Sequence, residues 1–541
     1  MSVELLAAML VLAAACQPNA PPAPPTRAPT PPPTPTPVAV QPTPPPLPTP
    51  TPIPSGPKPP ITPLPLQTPD PGGLDPRFGI AEGFRDAQIM SDVGAGWERI
   101  VLSWADIQPN GPDDFSWLGR TVPPRALAGE LNRGVKMAGL LQFTPTWAAT
   151  NLDDPGRSVP QNLDLPDDDP RNYWGRFVYE TVRYYAGRID EWIVWNEPEF
   201  HATDAAGPGS YTWLGTDQQF ARLMEIAYRA AKRANPRAVV AFPGTSYWVD
   251  QNSGRPQFYE RFLQIEAANP QAPANHSFHD AVPLNLYRAP DDLVRLHQEF
   301  TALQKRYNVT DTPVWLLELN AMPTDDTSIP CADLHAHNPI QTTQTEQAAY
   351  AVQALALAAA VGYPRIGFYQ MIDDNPCNQP AVWGIVRDDG TPRPVEGSLR
   401  TAVHLFSGFL KARFAPLIRA RATWSAWPTD PGSFTPNWQI YEVAFDLPGP
   451  RRVTVLWNGD GTSLRARIPR HSTQARLLDI QGNTVEGPAS LGSDWSITLP
   501  PATAHYSGDP AGYHFIGGEP RLLIEEGVPQ DTPVDTPHLG A

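Results

Sequence analysis

Two glutamates at the ends of apolar segments are the residues of this sequence best suited to chemistry. Glu197 follows the run Glu191-Trp-Ile-Val-Trp195, and Glu318 ends the run that begins at Val314. Short runs of this kind, rich in β-branched and aromatic residues, predict buried strands. Cleavage of a glycosidic bond requires two carboxyl groups, one to protonate the leaving oxygen and one to attack the sugar or activate water. The pair therefore predicts a glycoside hydrolase.

These glutamates need a scaffold that brings strand ends together. Apolar segments alternate with segments of helical period, which is typical of βα units around a parallel sheet. Eight such strands predict an α/β fold, the (β/α)8 TIM barrel, whose catalytic groups lie at the carboxyl ends of the strands. The predicted strands are Phe78–Phe84, Arg99–Trp104, Lys136–Gln142, Trp192–Asn196, Ala238–Gly244, Asp280–Tyr287, Val314–Asn320 and Arg365–Met371. The predicted helices are Pro124–Arg133, Trp174–Tyr185, Gln218–Ala234, Asp291–Tyr307 and Glu346–Ala360.

Composition divides the 541 residues into five regions. Residues 1–16 are a predicted signal peptide, residues 17–73 a Pro- and Thr-rich disordered linker, and residues 74–415 the catalytic barrel. Alternating apolar segments bounded by turn residues predict a small all-β sandwich over residues 416–526, and residues 527–541 predict a disordered tail. The sandwich has two open roles, carbohydrate binding or support of the barrel.

The N-terminal sequence indicates export. Its apolar run ends in Leu12-Ala-Ala-Ala-Cys16, which resembles the bacterial lipoprotein signal and is shorter than the roughly 20 residues that span a bilayer. The resemblance implies that Cys16 is lipidated and that the protein is extracytoplasmic, anchored to the membrane by its lipid. A plain secretion signal and a cytosolic apolar tail are the alternatives. The remaining cysteines, Cys331 and Cys377, then form an even pair, as a disulfide between neighbouring loops or as two separate thiols.

Charge and motif content exclude several classes of partner. The net charge of −16 indicates no basic surface for nucleic acid. No Gly-x-Ser-x-Gly elbow, phosphate-binding glycine-rich loop or His-Glu-x-x-His segment occurs in the sequence. Cys331, His335 and His337 share one segment without a second ligand pair at zinc spacing, which favours a polar loop over a metal site. We therefore expect no metal and no cofactor, and an oligo- or polysaccharide as partner.

The tripeptide Asn196-Glu197-Pro198 follows the fourth predicted strand, and Glu318 ends the seventh. This arrangement resembles the clan of retaining (β/α)8 glycoside hydrolases with catalytic glutamates on strands four and seven, which includes family-5, family-39 and family-42-like enzymes. The resemblance covers about residues 78–414. It implies that Glu197 is the general acid/base with a raised pKa, that Glu318 is the ionised nucleophile, and that β-linked glycosides are cleaved by double displacement.

The same resemblance implies roles for residues around the glutamates. Asn196 is expected to bond the sugar 2-hydroxyl, Arg99 to lie under the nucleophile, and Tyr287 to orient it. Asn285 stands where relatives often carry histidine, and Tyr369 or its neighbour Gln370 stands where many carry an eighth-strand tryptophan beneath the sugar.

Three tryptophans lie at or past the ends of predicted strands, where they could offer flat faces to sugar rings. Of these we expect Trp147 to do so, ahead of Trp104 and Trp383. The segment that begins at Trp383 resembles the connection from the eighth strand to the last helix, which implies a structural role. Two alternatives to hydrolysis are open: transglycosylation by the same residues, and a non-catalytic glycan-binding or scaffolding envelope lipoprotein built on the same barrel.

Overall fold

A computed structural model describes residues 73–117, 122–200, 212–329, 342–374, 382–418, 438–504 and 513–540. The signal peptide, the Pro-rich linker and all three cysteines, Cys16, Cys331 and Cys377, lie outside these ranges. The predicted lipidation and disulfide therefore fall on residues that the structure does not describe. No helix within the described ranges has both the length and the apolar character needed to cross a bilayer.

Parallel strands form the predicted barrel. Nine described strands make one sheet, in the order β5-β4-β3-β2-β1-β9-β8-β7-β6. The fifth barrel strand is interrupted, so that β5 and β6 are its two parts, and a bridge from Ala241 to Ala281 closes the barrel. The strands are β1 Asp75–Ala81, β2 Ala95–Ser103, β3 Lys136–Gln142, β4 Glu191–Val194, β5 Val239–Ala241, β6 Thr245–Ser246, β7 Val282–Leu286, β8 Val314–Leu319 and β9 Ile366–Phe368.

Helices cover the outside of the barrel, and the predicted ones occur within two residues of their expected ends. Two of the longest begin with capping boxes, at Thr216 and Thr343. In each box the threonine side chain accepts a hydrogen bond from the backbone amide three residues later, and the side chain of that later residue accepts one from the threonine amide. The described helices are α1 Ala87–Val93, α2 Trp104–Ile107, α3 Pro124–Asn132, α4 Tyr173–Tyr185, α5 Asp217–Ala234, α6 Tyr247–Asn252, α7 Phe258–Ala267, α8 Asp292–Tyr307, α9 Gln344–Val361 and α10 Pro394–Phe406.

Side-chain alternation separates the barrel interior from its helix-covered face. On β2, Trp97 and Val101 belong to the interior cluster, whereas Ile100 and Leu102 pack in the outer core under the helices. Strands buried on both faces read as nearly continuous apolar runs, which is why they could be predicted from sequence. Arg99 lies on the interior face of β2, between Trp97 and Val101.

Two antiparallel sheets form the C-terminal β-sandwich. The first has the order β10-β12-β13-β18-β15, with β11 also paired to β12, and the second has the order β16-β17-β14-β19. The strands are β10 Lys411–Phe414, β11 Leu417–Ile418, β12 Trp438–Leu447, β13 Arg451–Asn458, β14 Leu464–Pro469, β15 Gln474–Leu478, β16 Ala489–Leu491, β17 Asp494–Leu499, β18 Arg521–Glu526 and β19 His538–Leu539.

The first sheet of the sandwich lies between the barrel helices and the second sheet. Alternate residues of β12 show this, because Tyr441 and Phe445 join the outer core of the barrel while Ile440 joins the core between the two sheets. Phe445 stacks on Phe406 of α10 with ring centroids 4.3 Å apart. The sandwich is therefore packed on the barrel through an apolar face.

Two details differ from the predicted domain bounds. β10, Lys411–Phe414, pairs with β12, so the first strand of the sandwich lies within the segment predicted for the barrel. The predicted disordered tail contains β19, which pairs with β14, and Pro533 accepts a hydrogen bond from Arg452 at 3.1 Å. Backbone pairing to an edge strand requires no apolar alternation, so the composition of the tail did not indicate it.

Candidate active site

Glu197 lies just past the end of β4, in a turn of unusual backbone geometry. Trp195 and Glu197 both have left-handed φ angles, 69° and 47°. Non-glycine residues adopt this region at a cost of about 1–3 kcal/mol and do so most often at functional sites. Neighbouring hydrogen bonds hold the turn: the Glu197 amide donates to the Gly244 carbonyl at 2.9 Å, and the Thr212 hydroxyl contacts the carbonyls of Asn196 and Glu197.

Glu318 faces the barrel interior because β8 contains a bulge. Leu317 belongs to the interior cluster, so simple alternation would turn Glu318 outward. The pairing of β8 shifts against both neighbours here: Leu284 pairs with Leu316 but Asn285 with Glu318, and a matching shift occurs against β9. The extra residue in β8 lets Glu318 follow Leu317 on the inside. Bulges next to active sites commonly redirect a side chain in this way.

Two donors stabilise the ionised form of Glu318. Arg99 Nη1 lies 3.1 Å from Oε1, and the Tyr287 hydroxyl donates to Oε2 at 2.5 Å. All three side chains are largely buried, and a charge-assisted hydrogen bond is about twice as strong as a neutral one. Burial and the Glu318 charge raise the pKa of Tyr287 well above its ordinary value, which keeps its hydroxyl protonated as a donor. The contacts predicted for Arg99 and Tyr287 are both present.

Fewer groups stabilise a negative charge on Glu197 than on Glu318. It is 1% exposed, and the side-chain amide of Asn285 donates to its Oε1 at 2.9 Å. Burial and then the charge of Glu318 raise the pKa of Glu197 to about 8, while the Asn285 hydrogen bond and the more distant Arg99 act in the opposite direction. Glu197 therefore holds a proton at neutral pH. A protonated carboxyl group near a second one that accepts hydrogen bonds from an arginine and a tyrosine is an arrangement suited to acid-assisted bond cleavage.

A third buried carboxyl group, Glu199, was not predicted from the sequence. Its side chain is fully buried, Oε1 accepts the Ser246 amide at 2.5 Å, and Oε2 has no hydrogen-bond partner among the described residues. Burial, followed by the charges of Glu197 and Asp250, raises the pKa of Glu199 well above its ordinary value. This shift favours the neutral form of the Glu199 carboxyl group. In the sequence, Glu199 is marked by its position two residues after Glu197, and this spacing alone does not indicate a functional residue.

Several buried polar atoms near the carboxyl ends of the strands lack hydrogen-bond partners within the described ranges. Buried polar atoms are satisfied in most native structures, so each exception requires an explanation. Asn196 Oδ1 is among them, as the proposed contact to a sugar hydroxyl requires. The others at this end of the barrel are Thr245 Oγ1, Trp248 Nε1, Asn285 Oδ1, Gln370 Oε1 and Trp383 Nε1.

The tryptophans at or past the strand ends differ in what their side chains contact. Trp147 donates its indole N–H to the Gln108 carbonyl at 2.7 Å and packs edge-to-face on Trp104 and Tyr173. These contacts pack Trp147, which is half-buried, against α2 and the start of α4, and its sugar-binding role stays a prediction. Fully buried Trp104 is a core residue. Which strand-end tryptophan is packed depends on long-range contacts that the sequence pattern does not contain.

Tyr369 and Trp383 lie beside Tyr287, the tyrosine that donates to Glu318. The Arg99 guanidinium carbon is 5.5 Å from the Tyr369 ring centroid, and the Tyr287 ring contacts both aromatic residues, with centroid distances of 6.1 Å to Tyr369 and 4.7 Å to Trp383. Together with Met322 they form a small apolar cluster at the mouth of the barrel. Across the described ranges, no group of three or more His, Cys, Asp or Glu side chains is placed to hold a metal ion.

Comparison with known proteins supports the fold. No protein-family model matches the chain, and no curated protein sequence is similar to it. The structure is similar to a family 39 glycoside hydrolase from Bacteroides cellulosilyticus WH2, with a TM-score of 0.57, 14% identity, and coverage of 84% of this chain and 81% of that one. A GH39 enzyme from Xanthomonas axonopodis pv. citri gives a TM-score of 0.52 at 14% identity, covering 85% and 96% of the two chains. A glucosidase from Croceicoccus marinus gives 0.50 at 14% identity, covering 85% and 98%. These similarities confirm the predicted barrel followed by an all-β domain.

Proposed function

We propose that this protein is a retaining glycoside hydrolase that cleaves β-linked glycosides, with Glu197 as general acid/base and Glu318 as nucleophile. One observation carries the proposal: two buried glutamates at the same end of the barrel have opposite electrostatic environments. Arg99 and Tyr287 stabilise charge on Glu318, whereas burial keeps Glu197 protonated. The similar structures described as glycoside hydrolases support the same class.

The proposed reaction has two steps. In the first, Glu318 attacks the anomeric carbon while Glu197 gives its proton to the departing glycosidic oxygen, which forms a covalent glycosyl-enzyme and releases the leaving alcohol. In the second, Glu197, now ionised, removes a proton from water, and the resulting oxygen nucleophile displaces Glu318. The product keeps the anomeric configuration of the substrate. This mechanism requires carboxyl groups about 5–5.5 Å apart.

We also propose that the protein works outside the cytoplasm. The lipoprotein-like sequence around Cys16 supports membrane anchoring, and the Pro-rich residues after it would hold the barrel away from the membrane. Labelling with a radioactive fatty acid, in the full chain and in Cys16→Ser, tests the anchor. Label in the full chain that is lost in the variant supports lipidation, whereas label in neither protein contradicts it.

The test of the activity is hydrolysis of a panel of β-linked oligosaccharides and aryl β-glycosides by the full chain. The variants Glu197→Gln and Glu318→Gln should each lower kcat/KM for natural linkages by about 10²–10⁴-fold or more. Glu260→Gln is the matched control, because Glu260 pairs with Arg306 on the surface. The control should keep parental activity.

Leaving-group dependence separates the two roles. A dinitrophenyl glycoside releases a stable anion and needs no proton, so Glu197→Gln should still form the glycosyl-enzyme from it, whereas Glu318→Gln should not. Proton NMR of the first product should show retained configuration. Inverted product would contradict the double displacement. Absence of turnover, with equal glycan binding by all proteins, would instead indicate a non-catalytic glycan-binding protein.

A further inference from the structure

The indole of Trp383 lies next to the tyrosine that contacts the nucleophile. Its ring centroid is 4.7 Å from that of Tyr287, whose hydroxyl donates to Glu318 at 2.5 Å. Trp383 is only 6% exposed and shares an apolar cluster with Met322 and Tyr369. The segment after the eighth barrel strand thus returns a tryptophan to the mouth of the barrel.

The backbone of Trp383 is fixed by two barrel strands. Its carbonyl accepts the Gln370 amide at 3.0 Å and the Asn320 side-chain amide at 2.8 Å. Asn320 is itself held, because its Oδ1 accepts a hydrogen bond from Gln347 of α9 at 3.1 Å. A side chain mounted on such a network is positioned before any ligand arrives.

The polar atom of the Trp383 side chain is nevertheless unused. Its Nε1–H is buried and has no acceptor among the described residues. Buried tryptophans usually find an acceptor for this hydrogen, as Trp97, Trp104 and Trp147 do here. The indoles of Trp192 and Trp248 also lack an acceptor among the described residues, but Trp383 is the one that packs on Tyr287, so we take its N–H to be placed for an acceptor that a ligand would bring.

Gln370 presents the complementary unused atom. Its Nε2 donates to Asp374 at 3.1 Å, and Arg85 holds Asp374 at 2.7 Å. Because a carboxylate only accepts hydrogen bonds, this contact assigns the amide nitrogen and leaves Oε1 as the free acceptor. Gln370 is 3% exposed, and no described residue donates to its Oε1.

We infer that Trp383 and Gln370 form a sugar-binding subsite on the nucleophile side of the cleft, where each bonds a hydroxyl group of the ring that becomes attached to Glu318. A sugar hydroxyl both donates and accepts, so it satisfies either atom. This inference rests on the proposed function and identifies residues that select the sugar. Trp383 thus adds an indole from a connecting segment to the cluster that contains Tyr369.

The test compares Trp383→Phe and Gln370→Leu with the parent as full chains. Trp383→Phe removes the indole N–H together with part of the ring, and Gln370→Leu removes both polar atoms of the amide, including the donor to Asp374. Each should lower kcat/KM for the best aryl glycoside about tenfold, mainly by raising KM, as expected for one lost hydrogen bond. Trp117→Phe is the matched control, because Trp117 stacks on Tyr184 with centroids 4.1 Å apart, away from the glutamates.

Deoxygenated substrates identify the hydroxyl concerned. For one monodeoxy analogue of the best aryl glycoside, the parental protein should have a kcat/KM about tenfold lower than for the complete substrate. In Trp383→Phe, removal of the same hydroxyl group should lower kcat/KM no further. If the parent hydrolyses its substrate and both variants stay within twofold of it, the subsite is overturned while the hydrolase proposal stands. If the parent hydrolyses nothing, calorimetric binding of xylo- and cello-oligosaccharides decides. Weaker binding by both variants supports the subsite without catalysis, and equal binding or no binding overturns it.

Discussion

Asn285 and Tyr287, two residues apart on one barrel strand and its end, each donate a hydrogen bond to a different glutamate. Asn285 bonds Glu197 at 2.9 Å and Tyr287 bonds Glu318 at 2.5 Å. Residues two apart on a strand face the same side, so a single strand reaches both carboxyl groups. Gly244 makes room for this contact, since a Cβ there would lie 2.5 Å from Asn285 Oδ1. The positions of the Glu197 and Glu318 side chains are therefore linked through β7.

Tyr287→Phe should slow catalysis without unfolding the protein. The substitution removes a hydrogen bond to a charged carboxylate, worth about 1.5–3 kcal/mol, so kcat/KM should fall roughly 10–150-fold. Steady-state kinetics on aryl glycosides measure the loss. Tyr363→Phe is the control, because Tyr363 is buried and donates to the Leu293 carbonyl at 2.9 Å, far from the glutamates. Equal losses in the two variants would contradict a role at Glu318.

The pH dependence of kcat/KM should have a basic limb near pH 8. Glu197 acts first as an acid, so activity should be lost as pH rises through its pKa of about 8. The Asn285 hydrogen bond lowers that pKa, so Asn285→Ala should move the limb to higher pH while kcat falls. Asn235→Ala, which removes a buried amide bonded to Asp190 at the opposite end of the barrel, should leave the limb unchanged. A limb unmoved in Asn285→Ala would disprove the assignment to Glu197.

Glu199→Gln should keep most activity, whereas Glu199→Ala should not. Because the raised pKa of Glu199 favours its neutral form, glutamine should reproduce its charge, and glutamine can still accept the Ser246 amide through its carbonyl oxygen. Alanine removes the acceptor that Glu199 provides for that amide, and the loss of such a contact typically costs about 1–3 kcal/mol. Complete pH–rate profiles of the parent and the Glu199→Gln variant test whether Glu199 carries a charge. An ionised Glu199 would be revealed if the glutamine variant moved the basic limb to lower pH.

Glu98→Gln should stabilise the fold at alkaline pH. Burial, followed by the charge of Glu130, raises the pKa of Glu98 from 4.5 to about 8. The folded protein thus keeps a proton that the unfolded chain releases above about pH 4.5, and the free energy of unfolding falls as pH rises toward 8. Glutamine avoids this loss and retains an acceptor for the Phe84 amide.

Urea unfolding at pH 4.5 and pH 8 measures this effect. Glu98→Gln should raise the free energy of unfolding by about 1–3 kcal/mol at pH 8 and change it little at pH 4.5. Glu180→Gln, which removes a surface ion pair with Arg183, is the control and should change stability by less than about 1 kcal/mol at either pH. An equal gain at both pH values would show that packing, not titration, is responsible.

The sequence alone determined the order of the barrel strands and of five of the helices between them, with strand ends that differ from the structure by up to four residues. Apolar periodicity is a local property, and the strand that ends at Glu318 is apolar because both of its faces are buried. The placement of Glu197 and Glu318 at the carboxyl ends of β4 and β8 follows from that pattern. The fold class and the candidate pair of carboxyl groups could therefore be predicted before any contact was known.

The tertiary structure decided what those carboxyl groups contact. Whether Glu318 faces inward depends on a bulge at Leu317, which is defined only by its pairing with β7 and β9. Trp383 and not Trp147 packs on Tyr287, and such contacts between residues far apart in sequence are not visible in the sequence pattern. The protonation of Glu197 and Glu199 likewise comes from burial and neighbouring charge, which exist only once the barrel has closed.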